Sequence, residues 1–130
     1  MKKNFLMFCG VTALMVLLAS CTKQPTASFK LSKTTAAVGE SITATFDGED
    51  ANTFSWTAYD GAVGDTPTGA SSSNFITVSG GDRCENNWTV SFTTAGTYTI
   101  ILTARNYKDG CECSDCSGKR DEVSQTVTIQ

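Results

Sequence analysis

Cysteine is the residue type in this chain with the most chemistry to offer. Six are present, and four of them stand in the second half: Cys84, then Cys111, Cys113 and Cys116. Thiolates this dense can hold a soft metal ion or close disulfides. Structural zinc sites prefer Cys-x-x-Cys knuckles. Only Cys113-Ser114-Asp115-Cys116 has that spacing, with Cys84 and Cys111 left as the other two ligands. A redox role for Cys113 and Cys116 would need a lowered thiol pKa of the kind a helix N-terminus supplies, and no helical stripe with caps is present. An even number of thiols in an oxidising compartment reads instead as two disulfides, with three connectivities open. A Cys111–Cys113 bridge would close a very small, strained ring, which disfavours the connectivity that contains it. The chain has no histidine, so Ser-His and Cys-His catalysis and every imidazole metal site are excluded. No serine is framed by nucleophile-elbow glycines and there is no phosphate loop. The expectation is a non-enzymatic protein without a cofactor. A thiolate metal site or thiol-redox pair at Cys84, Cys111, Cys113 and Cys116 is the alternative.

The remaining two cysteines lie at the N-terminus, where the compartment is decided. Met1-Lys2-Lys3 is a short cationic start, and Phe5 to Leu18 is an apolar run without charge. That is the pattern of a secretory segment, too short for an ordinary spanning helix. Leu18-Ala19-Ser20-Cys21 then resembles the bacterial lipobox. The resemblance implies cleavage before Cys21 and lipidation of its sulfur. Two or three acyl chains, at about 0.8 kcal/mol per buried methylene, would hold the protein on a membrane almost irreversibly. Thr22 is not the aspartate that retains lipoproteins in the inner membrane of enteric bacteria, so the implied address is the outer membrane. Residues 1–20 are thus expected to be signal peptide, 21–27 a lipidated tether, and 28–130 a domain. Without Lys2 and Lys3, the ten basic residues fall to eight against 13 acidic ones, a net charge of about −5. An acidic domain excludes nucleic-acid binding through a basic face.

The elements that must position the four later cysteines are strands. Apolar residues recur with period 2 at Phe29 and Leu31; at Ile42, Ala44 and Phe46; at Phe54, Trp56 and Ala58; at Trp88, Val90 and Phe92; at Tyr98, Ile100, Leu102 and Ala104; and at Val127 and Ile129. Turn signals separate the runs: Val38-Gly39-Glu40, Asp47-Gly48, Asp60-Gly61, Ser79-Gly80-Gly81, Ala95-Gly96 and Asp109-Gly110. About seven short strands with regular turns predict an all-β antiparallel sandwich.

Three segments carry a further likeness: Val38-Gly39-Glu40-Ser41, Phe54 to Gly61, and Thr94-Ala95-Gly96-Thr97-Tyr98-Thr99-Ile100. Together they resemble the PKD-type immunoglobulin-like module over roughly residues 27–130. In the middle segment only Trp56, Asp60 and Gly61 match the family's Trp-Asp-Phe-Gly-Asp-Gly pattern, while the third segment matches closely. The resemblance implies a sandwich that serves as a spacer, adhesive unit or binding accessory rather than a catalyst. Trp56 is read as a core plug and Tyr98 as a corner tyrosine bonded back to the chain. In an immunoglobulin-like order, the loops carrying Cys84 and Cys111 to Cys116 fall at one end of the sandwich. That favours Cys84–Cys111 with Cys113–Cys116 over Cys84–Cys113 with Cys111–Cys116. The polar stretch from Asn106 to Asp121 is expected to be a long loop pinned by these bridges. It would present Tyr107, Glu112 and Asp115 to an envelope protein or glycan, beside the acidic loops Asp47 to Asp50 and Asp82-Arg83. Those acidic loops lack the oxygen-ligand spacing of a known calcium loop.

Overall fold

The computed structural model describes residues 22–61 and 78–130. The signal segment and Cys21 lie outside the described residues. Eight strands are present among the described residues: β1 (Phe29–Leu31), β2 (Thr35–Ala36), β3 (Ile42–Phe46), β4 (Thr53–Asp60), β5 (Val78–Gly80), β6 (Asn87–Val90), β7 (Gly96–Tyr107) and β8 (Gly118–Ile129). They form a sheet of order β1-β3-β6 and a second of order β2-β8-β7-β4-β5, with no helix among the described residues. All pairings are antiparallel except β2 with β8, which runs parallel. The chain is an all-β sandwich, as the alternation predicts.

Period 2 decides which side chains the two sheets share, because successive strand residues point to opposite faces. Trp56, Ala58, Ile100, Leu102, Ala104, Val127 and Ile129 come from the larger sheet; Phe29, Ile42, Ala44, Trp88 and Val90 come from the smaller. Trp56 is 1% exposed and sits at the centre. Its ring meets Phe29 edge-on at 5.4 Å between centroids and lies nearly parallel to Trp88 at 6.4 Å. Tyr98 stacks on Phe92 at 4.1 Å, and its buried hydroxyl donates to the Thr94 carbonyl at 2.8 Å, so it is the corner tyrosine the sequence suggests. Burial first, and the charge of Asp60 second, push its phenol pKa up.

Two strands and one hairpin were not legible beforehand. β2 has two residues, and β5 ends in Gly80, where any Cβ would stand 2.8 Å from Trp88 Nε1. The stretch from Asn106 to Asp121 is not a long loop. β7 continues to Tyr107 and β8 begins at Gly118, with Arg105 opposite Arg120 and Asn106 opposite Lys119. The reason is backbone pairing: the ladder is held by main-chain hydrogen bonds, which polar residues supply as well as apolar ones, so polar side chains occupy a regular strand.

The segment read as a tether is docked on the sandwich. Pro25 is fully buried and Ala27 packs against the core. Thr26 and Glu49 exchange backbone hydrogen bonds of 3.0 and 3.1 Å. Gln24 Nε2 donates to the Arg120 carbonyl, Asn106 Nδ2 donates to the Lys23 carbonyl, and the Ala27 N–H donates to Asp121 Oδ2. Gly48 makes this approach possible, since a Cβ there would lie 1.9 Å from the Thr26 carbonyl oxygen. Gly48→Ala must therefore force the two segments apart and is expected to destabilise the fold by about 1–3 kcal/mol, in the range of strain and lost buried hydrogen bonds. Hydrogen exchange at the Thr26 and Glu49 amides checks the location: protection there should fall before protection in β7.

Candidate functional site: the disulfide-braced end of the sandwich

Strand direction sorts the loops into two ends. β3 and β7 finish, and β4, β6 and β8 start, at the same end. Residues 47–52, 82–86 and 108–117 therefore gather there, together with the docked segment 23–27. The acidic loop, Asp82-Arg83 and the cysteine-rich loop, far apart in sequence, come together as expected. The structure pairs Cys84 with Cys111 and Cys113 with Cys116, each with Cα atoms 5.2 Å apart. In this pairing the four sulfurs are bonded to one another, and none is a free thiolate ligand for a metal ion. Among the described residues no group of three or more His, Cys, Asp or Glu could hold a metal ion.

The predicted binding residues take different parts. Tyr107 is half-buried at the end of β7 and is held rigidly. Its N–H donates to Asn52 Oδ1 at 3.0 Å, and its carbonyl accepts from Asn52 Nδ2 at 2.8 Å. Asp115 is exposed and braces its own loop, accepting from the Ser117 N–H at 3.1 Å while its N–H donates to Asp109 Oδ2 at 3.4 Å. Glu112 is exposed at the loop tip between the two bridges. Asp82 caps the neighbouring turn by accepting the Cys84 N–H at 2.8 Å. One oxygen of its exposed carboxylate is engaged with the backbone in this way.

Two surface depressions flank the Cys84–Cys111 bridge. One, of about 590 Å³, is lined by Phe46, Asn52, Phe54, Cys84, Glu85 and Asn86 among others, where the gap between the sheets opens at this end. The second, of about 420 Å³, lies on the outer face of the larger sheet. Thr53 and Ser55 contribute to its lining, with Ser79, Arg83, Arg105 and Tyr107 around them. Arg105, Ser55, Ser79 and Asn52 were not singled out by sequence reading. They are ordinary polar residues of strand and loop, and what distinguishes them is adjacency across strands, for which a single sequence carries no local signal.

Neither the models of known protein families nor the curated proteins compared with this chain give a match.

Proposed function

We propose that the protein is a lipid-anchored lipoprotein of the cell envelope, held through Cys21 on the outer membrane. Its PKD-like sandwich serves as a non-enzymatic binding module for an envelope glycan or protein. The observation that carries the reading is the convergence at one end of the sandwich. A loop braced by two disulfides, two depressions and the docked N-terminal segment all lie there. Loops fixed on a rigid sandwich are the usual place for recognition, and pre-ordering reduces the entropy lost on binding. Two disulfides also suit an oxidising compartment, which export through the N-terminal segment would provide.

Anchoring has a geometric consequence. Cys21 is two residues from Lys23, whose carbonyl is held by Asn106 at 3.0 Å. Two residues span at most about 7 Å, so the lipid would keep the disulfide-braced end against the bilayer. The binding surface would then face components at or near the membrane surface rather than distant ones.

Cys21→Ala tests the anchor. The variant is expected to lose fatty-acid labelling and lipoprotein-specific cleavage and to leave the membrane fraction. A variant that still labels and partitions with membranes would refute the lipobox reading.

A further inference from the structure

We propose that Arg83 and Arg105 form a recognition site for an acidic saccharide, one carrying carboxylate groups, in the depression on the outer face of the larger sheet. This names a ligand class for the binding module inferred above and does not depend on the lipid anchor.

The site is built around one strand. Arg105 on β7 pairs with Thr53 on β4. On the other side of β4, the Arg83 carbonyl accepts the Phe54 N–H at 2.8 Å. The two arginines therefore flank β4 about 10 Å apart, two strand spacings. Tyr107 lies two positions beyond Arg105, hence on the same face. Thr53 points to this outer face and yet is only 4% exposed, so neighbouring side chains fold over it.

The electrostatics are unusual for an acidic chain. The ion pairs among the described residues are Lys23–Asp50, Lys30–Asp47 and Lys33–Glu40, and all use lysine. Among the described residues, Arg83 and Arg105 have no carboxylate within ion-pair distance. Arg105 is faced across β7 and β8 by another cation, Arg120, and like charges directly opposite are destabilising. Asp82, adjacent in sequence to Arg83, accepts the Cys84 N–H, and Glu122 accepts from the Thr103 hydroxyl. Two guanidinium groups without an ion-pair partner among the described residues thus line a concavity of about 420 Å³, a size within the usual range for small-ligand sites.

The lining distinguishes a saccharide from a bare anion. Guanidinium forks bind carboxylates bidentately. The exposed hydroxyls of Ser55 and Ser79 can exchange hydrogen bonds with sugar hydroxyls, and the half-buried ring of Tyr107 offers a flat apolar face with a polar tip. Trp56, which also lines the depression, buries an indole N–H without a partner among the described residues. The Cys84–Cys111 bridge joins the loop of Arg83 to the loop after Tyr107, so it fixes one wall of the site relative to the other.

Calorimetric titration of the full-length chain, purified in a neutral detergent, with trigalacturonate tests the proposal. Maltotriose, inorganic phosphate and phosphatidylglycerol vesicles are the comparison ligands. Trigalacturonate is expected to bind, and to bind more weakly as salt rises. Arg83→Gln or Arg105→Gln should each weaken it about tenfold or more, the worth of a charge-assisted hydrogen bond. Lys33→Gln, at the opposite end of the sandwich beside Glu40, should leave affinity unchanged. Arg105→Lys, which keeps the charge but loses the fork, should fall between, and it serves if Arg105→Gln fails to melt like the parent. Equal affinity for maltotriose, indifference to both arginine substitutions, or binding of phosphate or vesicles without trigalacturonate would each overturn the site. Such a result alongside normal Cys21-dependent membrane anchoring would leave the lipoprotein reading intact.

Discussion

Trp56→Ala is expected to lower the unfolding free energy by about 3–5 kcal/mol, the usual cost of emptying a large buried aromatic site. Trp56 touches both layers: it belongs to β4 of the larger sheet and meets Phe29 and Trp88 of the smaller one. Removing the indole leaves a cavity between the rings of Phe29 and Trp88, which are anchored on separate strands and cannot close together. Gly81, at φ of +85°, stands so close that a Cβ there would lie 3.4 Å from Trp56 Cδ1, so the adjoining backbone is already packed onto the ring. The loss is a large share of the 5–15 kcal/mol typical of a domain. Denaturant unfolding measures it, with an unchanged slope showing that the fold is retained. A loss under about 1 kcal/mol would mean that the core does not rest on this side chain. A Trp56→Phe variant should recover part of the loss by refilling the site.

Breaking the Cys84–Cys111 bridge is expected to cost about 3–4 kcal/mol in the chain-entropy account, for a loop closed over a sequence separation of 27. The Cys113–Cys116 bridge spans a separation of 3 and should matter less. The effect should be local first. Residues 108–117 have exposed or half-buried side chains throughout, so little apolar area orders them without the cross-link. Hydrogen exchange of the Cys84→Ser/Cys111→Ser double variant should show early loss of protection at 82–86 and 108–117. β4, β7 and the end of β8 should stay protected. If the acidic-saccharide site is correct, the same variant binds trigalacturonate more weakly, because the Arg83 wall is no longer fixed. Peptide mapping without reductant that finds four unpaired thiols in exported protein would contradict the bridge itself.

The sandwich and its core were legible because a half-buried strand writes its two faces into alternate residues. Phe54-Trp56-Ala58 and Tyr98-Ile100-Leu102-Ala104 need no partner to be read, and the structure buries all seven. Tyr98 was legible for a similar reason: its place just after Ala95-Gly96 puts a hydroxyl where a corner can close. The shared end of the Cys84 and Cys111 loops followed from the immunoglobulin-like strand order that the resemblance implies.

Tertiary structure decided everything that depends on which strands become neighbours. The start of β8 is polar, because its pairing with β7 rests on backbone hydrogen bonds that leave no mark on side-chain type. The docking of residues 23–27 depends on Gly48, which meets Thr26, and on Asp121, which meets Ala27 from a sequence separation of 94. Arg83 and Arg105 are unremarkable in sequence and become a pair only when β4 is laid between them. Hydrophobic period is a property of one strand and its solvent boundary, so a single sequence records it. Lateral adjacency is a property of two strands joined through main-chain groups that every residue shares, and only the folded chain selects it.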